Sequence, residues 1–160
     1  MVVPVSQLPN GALQRLLRDY GMTVEWVADD CAIPGSYWKD CEAGLIENRL
    51  YVRADTPVHS ALHEAGHYIC MDAARRSRLH TDAGGSDQEE CGVCYLQILL
   101  AGRLDGYSIK QSLADMDAWG YSFRLGSAAA WFEQDADDAR LWLTQRNLLP
   151  AAPTHDGALP

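Results

Sequence analysis

The stretch Thr56–Cys70, TPVHSALHEAGHYIC, decides how the rest of the chain is interpreted. Its apolar residues recur at the spacing of one helix face, as in a helix packed against a core. The hydroxyl of Thr56 can cap free N–H groups at a helix start, and Pro57 is tolerated at the first helical position. We therefore expect a helix from this point to about Ala74.

Three polar residues in this stretch follow the pattern H-E-x-x-H: His63, Glu64 and His67. Histidines four positions apart on a helix point about 40° from each other, so both rings can bind one metal ion. Zinc suits imidazole ligands and accepts an open tetrahedral site. Glu64 points elsewhere and can take a proton from a metal-bound water. The pattern predicts a zinc site with Glu64 as general base, acting on peptide bonds.

The competing interpretation is a packed helix that carries these histidines by chance. Gly66 argues against it, because a mid-helix glycine costs about 1 kcal/mol in helix propensity and gives a helix that only packs nothing in return. His59, one turn before His63, is interpreted as a surface or capping residue.

The third ligand has to come from further along the chain. An extended H-E-x-x-H pattern with a third histidine at position 73 is excluded, since that residue is Ala73. The remaining candidates are His80, Asp82, Asp87, Glu89, Glu90, Cys91 and Cys94. A carboxylate near the start of the next helix is favoured. We prefer Glu89, because Gly92 three residues on lets two helices approach closely; Glu90, followed by Val93 at that spacing, is the alternative.

The residues before Thr56 predict strands. Thr23–Ala28 alternates apolar and polar residues, and Ala43–Arg53 has the pattern of a hairpin with a turn at Glu47-Asn48. A helix that begins near Asn10 and ends before Gly21 precedes them. We expect a small N-terminal antiparallel sheet.

The residues after Cys70 predict helices. One begins at Ser86 or Asp87 and ends near Ala101, one carries Ile109 and Met116, and one runs from Ala128 to Trp142. The expected fold class is α+β, with the small sheet packed on a helical core. We expect one domain over residues 1–148 and a flexible tail over residues 149–160.

Composition limits the partners and the compartment. The 160 residues carry a formal charge of −9, which disfavours nucleic acid as a partner. No run of 18 apolar residues is present, so we expect no membrane span. The five cysteines are an odd number in a chain long enough to fold without disulfides, which favours reduced thiols in the cytoplasm. Delivery as a secreted effector is the alternative, and the sequence leaves the oligomeric state open.

The HEAGH segment, followed by Glu89–Leu100 (EECGVCYLQILL), resembles the ImmA/IrrE-type metallopeptidases over roughly residues 10–101. These are compact gluzincins whose second helix typically reads E-x-x-A-N-x-F-A-x-x-L-L. Placing Leu99-Leu100 at its end puts Glu89 at the ligand position and Val93 where the family has a polar residue.

The resemblance implies zinc-dependent endopeptidase activity on a protein or peptide substrate. It also implies that the strand Arg49–Arg53 is an edge with which an extended substrate pairs. The alternative function is a non-catalytic zincin-like domain that binds a protein partner in regulation.

Overall fold

Helices dominate the computed structural model of the chain, which describes residues 1–36, 40–80 and 84–150. The elements, in chain order, are α1 (Ala12–Arg18), β1 (Thr23–Val27), β2 (Gly44–Ile46), β3 (Arg49–Arg53), α2 (Val58–Cys70), α3 (Ala73–Ser77), α4 (Asp87–Ala101), α5 (Ile109–Trp119), α6 (Ala128–Gln134) and α7 (Asp137–Gln145). The predicted α+β class is confirmed, with a small sheet beside a helical core.

The sheet has the strand order β1-β3-β2 and is mixed. The predicted hairpin is present, with Leu45 opposite Leu50 in the antiparallel pair β2–β3. The expectation of a wholly antiparallel sheet is wrong, because β1 runs parallel to β3 with Val24 opposite Leu50. The segment between β1 and β2 reverses the chain once and the hairpin reverses it again, so β3 returns in the direction of β1.

This strand order also corrects the expected substrate edge. Arg49–Arg53 is β3, which is the central strand and is hydrogen-bonded on both sides. It pairs with β1 over all five residues and with β2 over residues 49–51, so it is not an edge strand.

Helix α2 begins at Val58, and its start is capped by backbone and not by Thr56. The Thr56 hydroxyl instead accepts a hydrogen bond from the Arg53 N–H at 2.9 Å. Pro57 makes no side-chain cap, and the Val58 N–H donates to the carbonyl oxygen of Val3 at 2.9 Å. The N-terminal segment therefore satisfies a donor that the helix start would otherwise leave free.

Helix α2 ends at Cys70, four residues before the predicted end. Met71 is extended, and the short helix α3 follows after it. The Arg76 guanidinium donates to the carbonyl oxygens of Tyr68 and Ile69, at 2.9 and 3.1 Å. These bonds satisfy carbonyls at the end of α2, which is why the chain can turn there.

Helix α4 lies in the middle of the helical layer, where it contacts α2, α5 and α7. Of the two predicted caps, Ser86 is the one observed, since its side chain accepts from the Glu89 N–H. Buried residues occur around most of the α4 circumference, as expected for a helix with neighbours on several sides.

The last predicted helix is interrupted at Asp135 and Ala136, which separate α6 from α7. Asp135 leaves helical geometry and pairs with Arg124.

Buried apolar residues from the sheet and the helices form one cluster. No helix of the described residues is both long and apolar enough to cross a membrane. Most of the predicted tail, residues 151–160, lies outside the described part of the chain.

Candidate metal centre

The two histidines of the H-E-x-x-H pattern point to one place. His63 and His67 lie one turn apart on α2, and their Nε2 atoms are 3.2 Å from each other. The rings are nearly perpendicular, with centroids 4.7 Å apart. The Nε2 atoms of both rings therefore face one point.

A carboxylate completes this group, and it belongs to Glu90. Its Oε1 lies 3.1 Å from Nε2 of His63 and 3.5 Å from Nε2 of His67. Atoms bound to a tetrahedral zinc at about 2.0–2.1 Å lie about 3.3–3.4 Å from one another. The three distances between the donor atoms fall on both sides of that value. Two imidazoles and one carboxylate are also a donor set that zinc takes in catalytic sites, so these residues fit the metal.

The carboxylate beside the two histidines is thus that of Glu90, the alternative ligand, and not that of Glu89, the preferred one. Glu89 is buried against Arg75, with oxygen–nitrogen distances of 2.7 and 3.0 Å. Gly92 does not face α2 either: a Cβ on it would lie 2.7 Å from Cε3 of Trp142 in α7.

The residue that faces α2 is Val93. A Cβ on Gly66 would lie 3.1 Å from Cγ1 of Val93, so this glycine is where the two helices approach closely. The expectation that a packed helix gains nothing from Gly66 is therefore wrong. Successive residues on a helix point about 100° apart, so residues three positions apart lie on nearly the same face. Because Val93 faces α2, Glu90, three positions earlier, also faces α2 and reaches the histidines.

Glu64 lies beside the centre and not in it. It is half-buried, and burial raises the pKa of its carboxyl, while the charges of His63 and His67 lower that pKa. The raised pKa makes the carboxylate a better proton acceptor near neutral pH than an exposed glutamate. Its position and its pKa suit the predicted role of a general base.

Glu90 and His63 form an ion pair when no metal is bound. Hydrogen bonds from His63 and His67 hold the pKa of Glu90 well below its usual range. Burial lowers the pKa of His63, but Tyr121, Cys94 and Glu90 outweigh burial and raise it. A metal ion at this point would have to displace the proton on His63 Nε2, so its binding would weaken at acidic pH.

One site residue, Gln97, is absent from the sequence-based candidates. Its Oε1 lies 2.6 Å from Nδ1 of His63, and its Nε2 donates to the carbonyl oxygen of His59 at 3.3 Å. The side chain is fully buried. The signal in the sequence is a lone amide within the apolar run Tyr95–Ala101.

His59 is a buried residue, and its interpretation as a surface or capping histidine is wrong. It has no exposed surface, and its Nδ1 lies 3.2 Å from the hydroxyl of Tyr121. Burial lowers the pKa of His59 to about 4. The ring is therefore neutral at physiological pH, and its Nε2 has no hydrogen-bond partner among the described residues.

The other candidate ligands lie outside the group of His63, His67 and Glu90. The backbone of His80 pairs with Ile46 in an isolated bridge. Asp87 is the first residue of α4, and Asp82 lies outside the described residues. Cys91 is exposed and Cys94 is half-buried, and all five cysteines carry free thiols, as the odd number of cysteines predicts.

Comparisons with known proteins do not identify a family for this chain. No protein-family model matches it, and neither the curated proteins nor the solved structures contain a significant match. A function for this chain is therefore inferred from its own side chains.

Proposed function

We propose that this protein is a zinc metallopeptidase in which His63, His67 and Glu90 hold the metal and Glu64 is the general base. The convergence of two imidazole nitrogens and one carboxylate oxygen within 3.5 Å of one another carries this proposal. A group that only packs a helix interface has no need for three ligand atoms directed at one point.

The chemistry divides between metal and protein. A zinc ion here would lower the pKa of a bound water towards about 7 and polarise a peptide carbonyl. Glu64 accepts the proton that the attacking water loses and returns it to the amine nitrogen as the peptide bond breaks. Burial of His67 and half-burial of His63 keep the ligand side chains in one orientation.

The family motif fits Glu90 as ligand only in part. In E-x-x-A-N the polar residue stands four positions after the ligand, so with Glu90 as ligand that position is Cys94 and not Val93. The same shift moves Leu99-Leu100 off the end of the motif. Cys94 interacts with His63, which is how a residue at that position would act on the ligand.

We also propose a protein or peptide substrate. A cytoplasmic location is proposed as well, and the free thiols support it.

Substitution of the general base tests the proposal. Glu64→Gln should retain one zinc per chain and lower the hydrolysis of fluorescein-labelled casein about 10²–10⁴-fold, because the amide cannot accept the proton. Zinc is measured by elemental analysis of the purified protein. The matched control is Glu133→Gln, which changes an exposed glutamate on α6 and should leave the rate unchanged.

The alternative function, a non-catalytic zincin-like domain that binds a protein partner in regulation, has a different outcome. Wild type and Glu64→Gln would then both fail to cleave casein or a mixed peptide library, with or without bound zinc. A wild-type chain that takes up no zinc contradicts the metallopeptidase.

A further inference from the structure

A buried amide between α2 and α4 has a role beyond packing. Gln97 is fully buried in a helix segment whose neighbours are apolar. Burying an amide without hydrogen-bond partners is unfavourable, so the partners of Gln97 indicate what it is for. Two of them belong to α2, the ring of His63 and the backbone of His59, and the side chain of Tyr121 is a further partner.

The backbone partner fixes the orientation of the amide. The carbonyl oxygen of His59 can only accept a hydrogen bond, so the amide group facing it at 3.3 Å has to be the NH2. The oxygen of Gln97 then faces His63 Nδ1 at 2.6 Å. Flipping the amide would place two acceptors against each other and two donors against each other, and both hydrogen bonds would be lost.

The orientation of the amide in turn fixes the proton on the ring. An amide oxygen accepts only, so His63 Nδ1 carries a proton whether the ring is neutral or charged. The neutral ring then has its lone pair on Nε2, which faces His67 and Glu90. His67 has no such partner: its buried Nδ1 is without a hydrogen bond among the described residues.

We propose that Gln97 is a positioning residue that holds His63 with its proton on Nδ1 and its Nε2 lone pair towards the metal centre. This inference deepens the proposed function and rests on it. Residues that orient a metal-bound histidine commonly change metal affinity 10–100-fold when they are lost. Gln97 lies seven residues after Glu90, which is two helical turns along the same face of α4. Gln97 contacts Nδ1 of the His63 ring, whereas Glu90 contacts Nε2.

The test compares three variants of the full chain for zinc affinity, measured by competition with a chromophoric chelator. Gln97→Met keeps the shape but makes neither hydrogen bond, and it should bind zinc 10–100-fold more weakly. Gln97→Glu keeps an acceptor facing His63 and should bind closer to wild type than Gln97→Met. The matched control is Gln134→Met, since Gln134 is exposed on α6 and should leave zinc affinity unchanged.

A second measurement does not depend on metal binding. In the metal-free protein, the His63 Nδ1–H should give a slowly exchanging signal in nitrogen-15 NMR spectra, and Gln97→Met should lose it. Unchanged affinity together with an unchanged signal in Gln97→Met would overturn the inference. A wild-type chain that binds no zinc but shows the protected Nδ1–H would contradict the proposed function alone.

Discussion

At the scale of single residues, two adjacent glutamates lie in opposite environments. Glu89 has 6% of its surface exposed and pairs with Arg75, whereas the side chain of Glu90 is 44% exposed and reaches the histidines. The two directions differ by the 100° that one helical residue contributes. Glu89 thus holds α3 against α4, and Glu90 faces His63 and His67.

This difference predicts separable effects for Glu90→Gln and Glu89→Gln. Glu90→Gln should lose most of its zinc, because a neutral amide is a weak zinc ligand, and its fold should remain. Glu89→Gln should keep its zinc and lower the free energy of unfolding by about 1–3 kcal/mol, because the Arg75 charge loses its carboxylate partner. Elemental analysis and urea unfolding of both variants measure the two effects.

The opposite pattern, zinc lost in Glu89→Gln and kept in Glu90→Gln, would restore Glu89 as the ligand. If both variants lost zinc while remaining folded, zinc binding would depend on both carboxylates, and the assignment of Glu90 alone would be contradicted.

The residues that could be predicted from sequence are those whose relation is local. His63, Glu64 and His67 lie within one helix, so the helix period alone determines where they point. The choice between Glu89 and Glu90, and the role of Gln97, depend on how α4 is rotated about its own axis. That rotation is set by contacts with α2 and α7, and no short-range pattern encodes it.

At the scale of elements, two glycines allow α4 to approach its neighbours closely. Gly66 of α2 faces Val93, and Gly92 of α4 faces the ring of Trp142 in α7. The second contact is the tighter one, since a Cβ on Gly92 would lie 2.7 Å from a ring carbon. Trp142 therefore occupies space that any larger residue at position 92 would need.

We expect Gly92→Ala to lower the free energy of unfolding by about 1–3 kcal/mol through overpacking, although alanine is the better helix former by about 1 kcal/mol. In the Trp142→Ala background the same change should be neutral or stabilising, because the ring is gone. The coupling is obtained from urea unfolding of the four proteins in a double-mutant cycle. Additive effects would show that Gly92 and Trp142 do not compete for space.

The elements themselves were predictable to different degrees, for a physical reason. The hairpin β2–β3 joins neighbouring segments through a short turn at Glu47, whose φ is 52°, and its alternation is visible in the sequence. The parallel pairing of β1 with β3 and the break at Asp135 are not visible, because each depends on a segment distant in sequence.

At the scale of the whole molecule, one buried carboxylate connects the N-terminal segment to α5. Asp115 has 2% of its surface exposed and accepts hydrogen bonds from the Val3 N–H, the Tyr107 hydroxyl and the Gln111 amide, at 3.2, 2.7 and 2.8 Å. Val3 in turn caps Val58 at the start of α2. Through Val3, the carboxylate of Asp115 therefore supports the start of α2, the helix that carries His63 and His67.

Removing this carboxylate should destabilise the fold. Asp115→Ala leaves three donors without their acceptor, two of them on side chains, and we expect the free energy of unfolding to fall by about 2–4 kcal/mol. Asp138→Ala, which changes an exposed aspartate on α7, is the control and should stay within about 0.5 kcal/mol of wild type. Urea unfolding measures both, and equal stabilities would contradict the role of Asp115.

The backbone cap of α2 has a consequence for the order in which the protein matures. The N–H of Val3 and the carboxylate that holds it are 112 positions apart in the sequence. A growing chain can form the α2 helix early, but the cap on its first turn lacks the support of Asp115 until α5 has emerged. We therefore expect the start of α2 to reach its full stability late in folding.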